Sequence, residues 1–183
     1  MIKQLSSFSK YVGITGFKDA RITDVETLLS QARRRMKKTQ IQFFNAKLIA
    51  GWEHLYFAAL NALSVFKSKL NISNSLAVET LLYASSQRQI NKAVEMLGIT
   101  RESSEIAVLV ITDTKQGADE ALKAVVQLIS GDQDEGVLDL TAEKDEGIKE
   151  LFDISDLELE AASKEKGLLS LVIEHMALLV TQR

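Results

Sequence analysis

The chain has no cysteine, no proline and only two histidines in 183 residues. Lack of cysteine excludes disulfides and thiolate metal sites, and it fits a reducing compartment. Lack of proline leaves helix interiors uninterrupted, so turns fall to Gly, Asn, Asp and Ser. His54 and His175 stand far apart, whereas a zinc site needs several ligands held together. No metal or other cofactor is expected. Long apolar runs are missing too. The longest, Ile106 to Ile111, is far short of the ~20 residues that span a bilayer. The opening MIKQLSSFSKYVG has no continuous apolar stretch of the kind an export signal requires. The apolar stretch from Leu168 to Val180 is interrupted by Glu174 and His175. A cytoplasmic chain with no membrane partner is expected.

Catalytic signatures are also missing. There is no G-x-x-x-x-G-K-[ST] phosphate loop, no G-x-G-x-x-G after a strand, no G-x-S-x-G elbow and no paired helical histidines. The many acids between Asp132 and Glu160 lie in a polar stretch, and catalytic carboxylates are usually tuned by partial burial. A non-enzyme is expected.

What is present is a globular composition, 46% hydrophobic and 26% charged. A chain of this length buries roughly 70% of its unfolded surface, and residues 1–183 are expected to form a single domain. Charge is unevenly spread. Residues 1–92 carry 14 Lys+Arg against 5 Asp+Glu, and residues 93–183 carry 8 against 20. Arg33, Arg34, Arg35, Lys37, Lys38 and Lys47 fall between Glu26 and Glu53 with no acid among them. Such asymmetry suits a polyanion at the basic half. It also suits two solvated helix faces, and the Arg33–Lys38 cluster in a helix's last turns is where the helix dipole favours cations.

Periodicity and turn chemistry place the elements. Ser9–Phe17 and Gln40–Ala46 read as strands. Ile106–Thr112, a continuous β-branched run, reads as a buried central strand. Val137–Leu140 suggests a short edge strand. Helices are predicted after Thr23-x-x-Glu26, over Trp52–Leu70, through Glu79–Tyr83, after Ser86-x-x-Gln89 and over Thr114–Ser130. Further helices are predicted over Lys144–Phe152, after Ser155-x-x-Glu158 and over Lys164–Thr181. The three S/T-x-x-E/Q patterns are capping boxes by spacing, and Gly98 is placed to end the helix before it. The expected fold is α+β, with a small mixed sheet of three to four strands and seven to eight helices.

The last helix is apolar on more than one side: Leu168, Leu169, Leu171, Val172, Ile173, Met176, Leu178, Leu179 and Val180 do not fit one stripe. One face can enter the chain's own core, and the other asks for a partner. That partner is another protein or a second copy, which would make this a self-associating structural protein. A third alternative is a small-molecule enzyme in which His54 shares a pocket with Asn45 and Tyr56. No nucleophile or metal constellation accompanies His54, which favours a structural histidine.

Two stretches carry a resemblance. One is Phe44-Asn45-Ala46, with His54-Leu55 and Ala58-Ala59 on the following helix. The other is Glu79-x-Leu81-Leu82-Tyr83-Ala84-Ser85-x-x-Arg88-Gln89-Ile90-x-x-Ala93, closing on Leu97-Gly98-Ile99. With Leu171-Val172-x-Glu174-x-x-Ala177-Leu178-Leu179, they resemble the small kinase-binding subunit of the KEOPS complex, the TPRKB or Cgi-type family. The likeness runs over nearly the whole chain and points to an archaeal member. Glycine is frequent in the family where this chain has Ser86.

The resemblance implies a non-catalytic regulatory subunit of the assembly that makes threonylcarbamoyladenosine (t6A) in tRNA. Such a subunit binds the N-lobe of an atypical kinase/ATPase, and through it the threonylcarbamoyl transferase subunit. Archaeal members also grip the tRNA 3′ CCA end. The implied RNA contacts are Ser85, Ser86, Gln87 and Arg88, joined by Lys47, Lys67 and Lys69 from the basic half. The implied kinase contacts are Leu168, Leu171, Val172, Ile173, His175, Met176 and Leu179.

Overall fold

The structure is a computed structural model and describes residues 1–162 and 167–179. Five strands and eight α-helices occupy these residues. In chain order they are β1 (Ile2–Leu5), β2 (Lys10–Lys18), α1 (Val25–Arg35), β3 (Gln40–Asn45), α2 (Trp52–Lys67), α3 (Leu76–Ala84) and α4 (Ile90–Leu97). Then come β4 (Ile106–Thr112), α5 (Lys115–Val126), β5 (Asp132–Gln133), α6 (Ala142–Phe152), α7 (Asp156–Ala161) and α8 (Gly167–Leu178). The chain divides into two compact units, each built from two separate stretches: residues 1–47 with 98–137, and residues 48–97 with 138–183. The fold class is α+β, as expected.

The first unit is a sheet with helices. Strand order is β1-β2-β4-β3, with β5 paired to β2 at Phe17 and Lys18, and every pairing is antiparallel. The expected mixed sheet is therefore purely antiparallel, with five strands. β4 lies inside the sheet between β2 and β3, and all seven of its residues are buried, which is what its unbroken β-branched run requires. No strand forms over the expected Val137–Leu140: a 3-10 turn occupies Glu135–Leu138, and the two-residue β5 lies before it. On one sheet face Ala32 of α1, Met36 just after it, and Ala121 and Val125 of α5 cluster with Phe17, Ile41, Phe43, Val108 and Val110. A Cβ at Gly13 would lie 2.7 Å from Val110 Cγ2 and 3.1 Å from Leu122 Cδ1, so glycine lets α5 sit close on β2 and β4.

The second unit is helical. Its core brings Ala50 together with Ile148, Phe152, Ile154, Leu168, Leu169 and Val172. α2 and α3 form an antiparallel pair, and α8 packs on α2, α6 and α7. A buried carboxylate shapes the turn before α3: Glu79 accepts the backbone N–H groups of Ile72 (3.0 Å) and Ser73 (2.7 Å). These bonds satisfy a group that would otherwise be costly to bury.

Helix starts depart from the spacing rules in two of three places. α1 is capped by Asp24, whose side chain accepts from Thr27 N–H at 2.6 Å, and not by Thr23. Ser155 and Glu158 do form the reciprocal capping box that opens α7. Ser86 caps no helix start; its role is described below. α5 ends at Val126, four residues before the expected Ser130. Lys164 and Thr181, the expected ends of the last helix, lie outside the described residues.

Candidate binding site around the Ser85 turn and the last helix

The site begins with a histidine used as a pin. Gly51, with φ +135°, opens α2 in a backbone conformation that only glycine adopts without strain. One turn later His54 is fully buried. Its Nδ1 accepts the N–H of Ala50 at 3.2 Å, and its Nε2 lies 2.8 Å from the carbonyl of Ala84. An acceptor at Nδ1 and a donor at Nε2 define one neutral tautomer. Burial drives the imidazole pKa down to about 4, against a smaller opposing pull from the Ala84 carbonyl. The ring also stands edge-on to Phe152, with centroids 5.6 Å apart. Both nitrogens are engaged and no ring atom meets solvent. His54 is the structural histidine that the sequence favoured, and not a group in a pocket shared with Asn45 and Tyr56: the side chain joins the start of α2 to the end of α3.

Ala84 is the last residue of α3, so the pin holds the turn that follows it. Ser86 N–H donates to Tyr83 O and Gln87 N–H to Leu82 O, each at 3.0 Å, and Ser86 has φ +51°. This is the Schellman arrangement, with Ser86 in the left-handed position that glycine usually holds. The predicted capping box Ser86-x-x-Gln89 is not formed. α4 starts at Ile90, and Gln89 supplies the carbonyl that accepts from Ala93 N–H at 3.0 Å. Ser86 Oγ is buried and, among the described residues, has no hydrogen-bond partner. Ser85 is 1% exposed, and its hydroxyl donates back to Leu81 O at 2.9 Å.

A cleft of about 240 Å³ opens here, lined by Ser85, Ser86, Gln87, Leu151, Phe152, Asp153, His175 and Leu178. Its apolar floor comes from α6 and α8. Its polar rim includes two residues at left-handed caps, Ser86 and Asp153 (φ +54°). Arg88 is exposed beside this turn. Lys67 and Lys69 are not brought here. α2 begins level with the end of α3, and Lys67 follows His54 by thirteen residues, roughly 20 Å along the helix at 1.5 Å per residue. Lys47 is exposed in the other unit.

Along α8 the sequence-predicted interface residues divide in two. Leu168, Val172, Met176 and Leu179 are buried, Val172 and Met176 completely. Leu171, Ile173 and His175 are half-buried, and Leu178 is 45% exposed. A second groove of about 500 Å³ runs between α7 and α8, lined by Glu158, Ala161, Ser170, Leu171, His175 and Leu178 among others. The expectation that Leu168, Val172, Met176 and Leu179 meet a partner is thus corrected: they fill the chain's own core. Leu178 was missed, although Leu171, His175 and Leu178 share the i, i+4, i+7 spacing of one helical stripe. Leu157 on α7 is 77% exposed.

Among the described residues no group of three His, Asp or Glu is placed to hold a metal ion, and no helix is long and apolar enough to cross a membrane. The grooves beside α8 combine apolar floors with polar rims, which is the make-up of a binding protein's site. The model of the CGI-121 kinase-binding protein family matches residues 17–179. The regulatory protein Cgi121 of Methanocaldococcus jannaschii is 30% identical over 115 residues, which cover 63% of this chain and 71% of that protein. The chain belongs to the CGI-121 family of kinase-binding proteins.

Proposed function

We propose that the protein is a regulatory subunit that binds the N-lobe of an atypical kinase/ATPase and recruits tRNA by its 3′ CCA end for t6A formation, in a KEOPS-type assembly of the cytoplasm. The observation that carries this reading is the side-by-side placement of the Ser86 cleft and the Leu171–His175–Leu178 stripe, with His175 and Leu178 lining both grooves. In this reading the α7–α8 groove receives the kinase. The stripe supplies apolar area, and Glu174 and His175 supply the polar rim that such interfaces carry. The cleft receives the end of the RNA strand. Ser86 Oγ offers a hydrogen bond that the protein leaves unmade, Gln87 and Asp153 offer more, and Arg88 faces the phosphates. Single-stranded RNA is recognised by such edge contacts to unstacked bases.

Two measurements test the two halves. Leu171→Glu should abolish co-elution with the kinase on size-exclusion chromatography while leaving the fold intact; an intact complex would remove the interface assignment. In a gel shift, tRNA trimmed of its 3′ CCA should lose binding that intact tRNA shows, and equal binding of both would remove the 3′-end assignment. A stable dimer in sedimentation, lost on the same Leu171→Glu change, would favour self-association instead.

A further inference from the structure

The last turn of α1 and the residues after it carry Arg33, Arg34, Arg35, Lys37 and Lys38, all exposed, and Lys115 is exposed at the start of α5. Among the described residues none of these six cations has an acidic partner. Of the nearby acids, Asp113 pairs with Lys10 and Asp119 with Lys123 at 2.6 Å, while Glu120 accepts from the neutral amide of Gln116 at 2.8 Å and keeps its charge. A broad cleft of about 770 Å³ lies between the two elements; four of the cations, Arg34, Arg35, Lys37 and Lys38, line it together with the acids Asp113 and Glu120, and Arg33 and Lys115 flank it in sequence. The helix dipole accounts for one or two cations in a last turn, because its field fades within that turn. Lys37 and Lys38 lie beyond the helix, and six cations against the one carboxylate of Glu120 leave an excess of positive charge. A surface of this kind is built for a polyanion.

We propose that the α1–α5 cleft of the first unit is a second RNA contact, which grips the sugar–phosphate backbone of a base-paired stem. The cleft's lining contains no aromatic residue, and proteins that hold single strands rely on aromatic side chains for base stacking. Cations without stacking platforms read backbone and shape, which is how duplex RNA is held. The inference goes beyond the 3′-end reading and rests on it only for the choice of RNA as the polyanion.

The test uses the full chain and a blunt RNA hairpin with no single-stranded end, titrated by fluorescence anisotropy at several salt concentrations. The wild type should bind, with log K falling steeply against log salt. The triple change Arg34→Glu, Arg35→Glu, Lys37→Glu should weaken binding at least tenfold and reduce the salt slope by roughly 2 to 3, at about 0.7–0.9 per phosphate contact. The neutral triple change to Gln should give a smaller loss in the same direction and guards against misfolding. Arg88→Glu should leave hairpin binding unchanged while weakening binding to intact tRNA. If Arg88→Glu has no effect on either RNA but the triple change still abolishes hairpin binding, the 3′-end reading fails and this one stands. No hairpin binding by the wild type, an unchanged slope in the triple variant, or binding to anionic vesicles in place of the hairpin would overturn it.

Discussion

Two faces of the last helical segment both carry leucine and take opposite positions. On α8, Leu168, Val172 and Met176, with Leu179 just after it, are buried in the second unit, while Leu171, His175 and Leu178 line surface grooves. Leucine appears on both. Hydrophobicity therefore says that a residue seeks burial, not whether its own chain or a partner provides it. The difference shows in energetics. Burial within the chain stabilises folding, at about 1.5–3 kcal/mol for a large aliphatic side chain, whereas the outer stripe is available for binding.

The comparison can be broken most sharply by placing a charge on each face. Val172→Glu puts an unpaired carboxylate in an apolar core, and it should cost about 4 kcal/mol or more and largely unfold the protein in a urea titration. Leu171, half-buried at the edge of the same core, should lose less on Leu171→Glu, about 1–2 kcal/mol in the same titration, and lose the kinase. Similar urea curves for both variants would mean that the two faces do not differ as described.

The two histidines extend the contrast, since one is a fully buried pin and the other lines both grooves. His54→Ala should cost about 3 kcal/mol, from two lost hydrogen bonds and a cavity beside Phe152. His54 should also shape the acid limb of stability. Its folded pKa of about 4 lies below the ordinary 6.5, so the unfolded chain takes up the proton first. The associated stability is fully present above pH 6.5 and is lost as pH falls toward 4. The pH dependence of the urea midpoint over that window should flatten in His54→Ala, and no flattening would mean that the histidine is not held neutral by burial.

Smaller effects sharpen the comparison at helix ends. Ser155→Ala removes the one capping box that forms and should destabilise by about 1 kcal/mol. Ser86→Gly should do the reverse and raise the melting temperature, because glycine relieves a left-handed position that costs a side chain about 1 kcal/mol. The same change deletes the unpaired hydroxyl. If tRNA binding weakens while the melting temperature rises, Ser86 trades stability for function, and unaltered tRNA binding would remove its hydroxyl from the RNA site.

Much of this was legible from residues alone. The β-branched run Ile106–Thr112, the apolar spacing of α1 and α2, and the Ser155 box act over a few neighbouring residues, so local pattern suffices to see them. The family likeness centred on Ser85–Ile90 was equally visible. Ser86 was misassigned because S-x-x-Q spacing describes a helix start, while the backbone uses the residue to end the helix before it. That end is closed by Ser86 N–H on Tyr83 O and Gln87 N–H on Leu82 O, with His54, thirty positions before Ala84, holding the Ala84 carbonyl beside it. Asp24 displaced Thr23 as a cap by one residue, a shift that spacing rules do not resolve.

The sequence by itself determined the class of fold, the order of most elements, the charge asymmetry and the excess of apolar surface on the last helix, because composition and periodicity are properties of near neighbours. Only the tertiary structure decided which apolar face of α8 the chain keeps for itself, that His54 is a buried pin, and that Ser86, Asp153 and His175 meet in one cleft. Those outcomes rest on contacts between residues far apart in the chain, and no local pattern encodes which distant side chains will share a space.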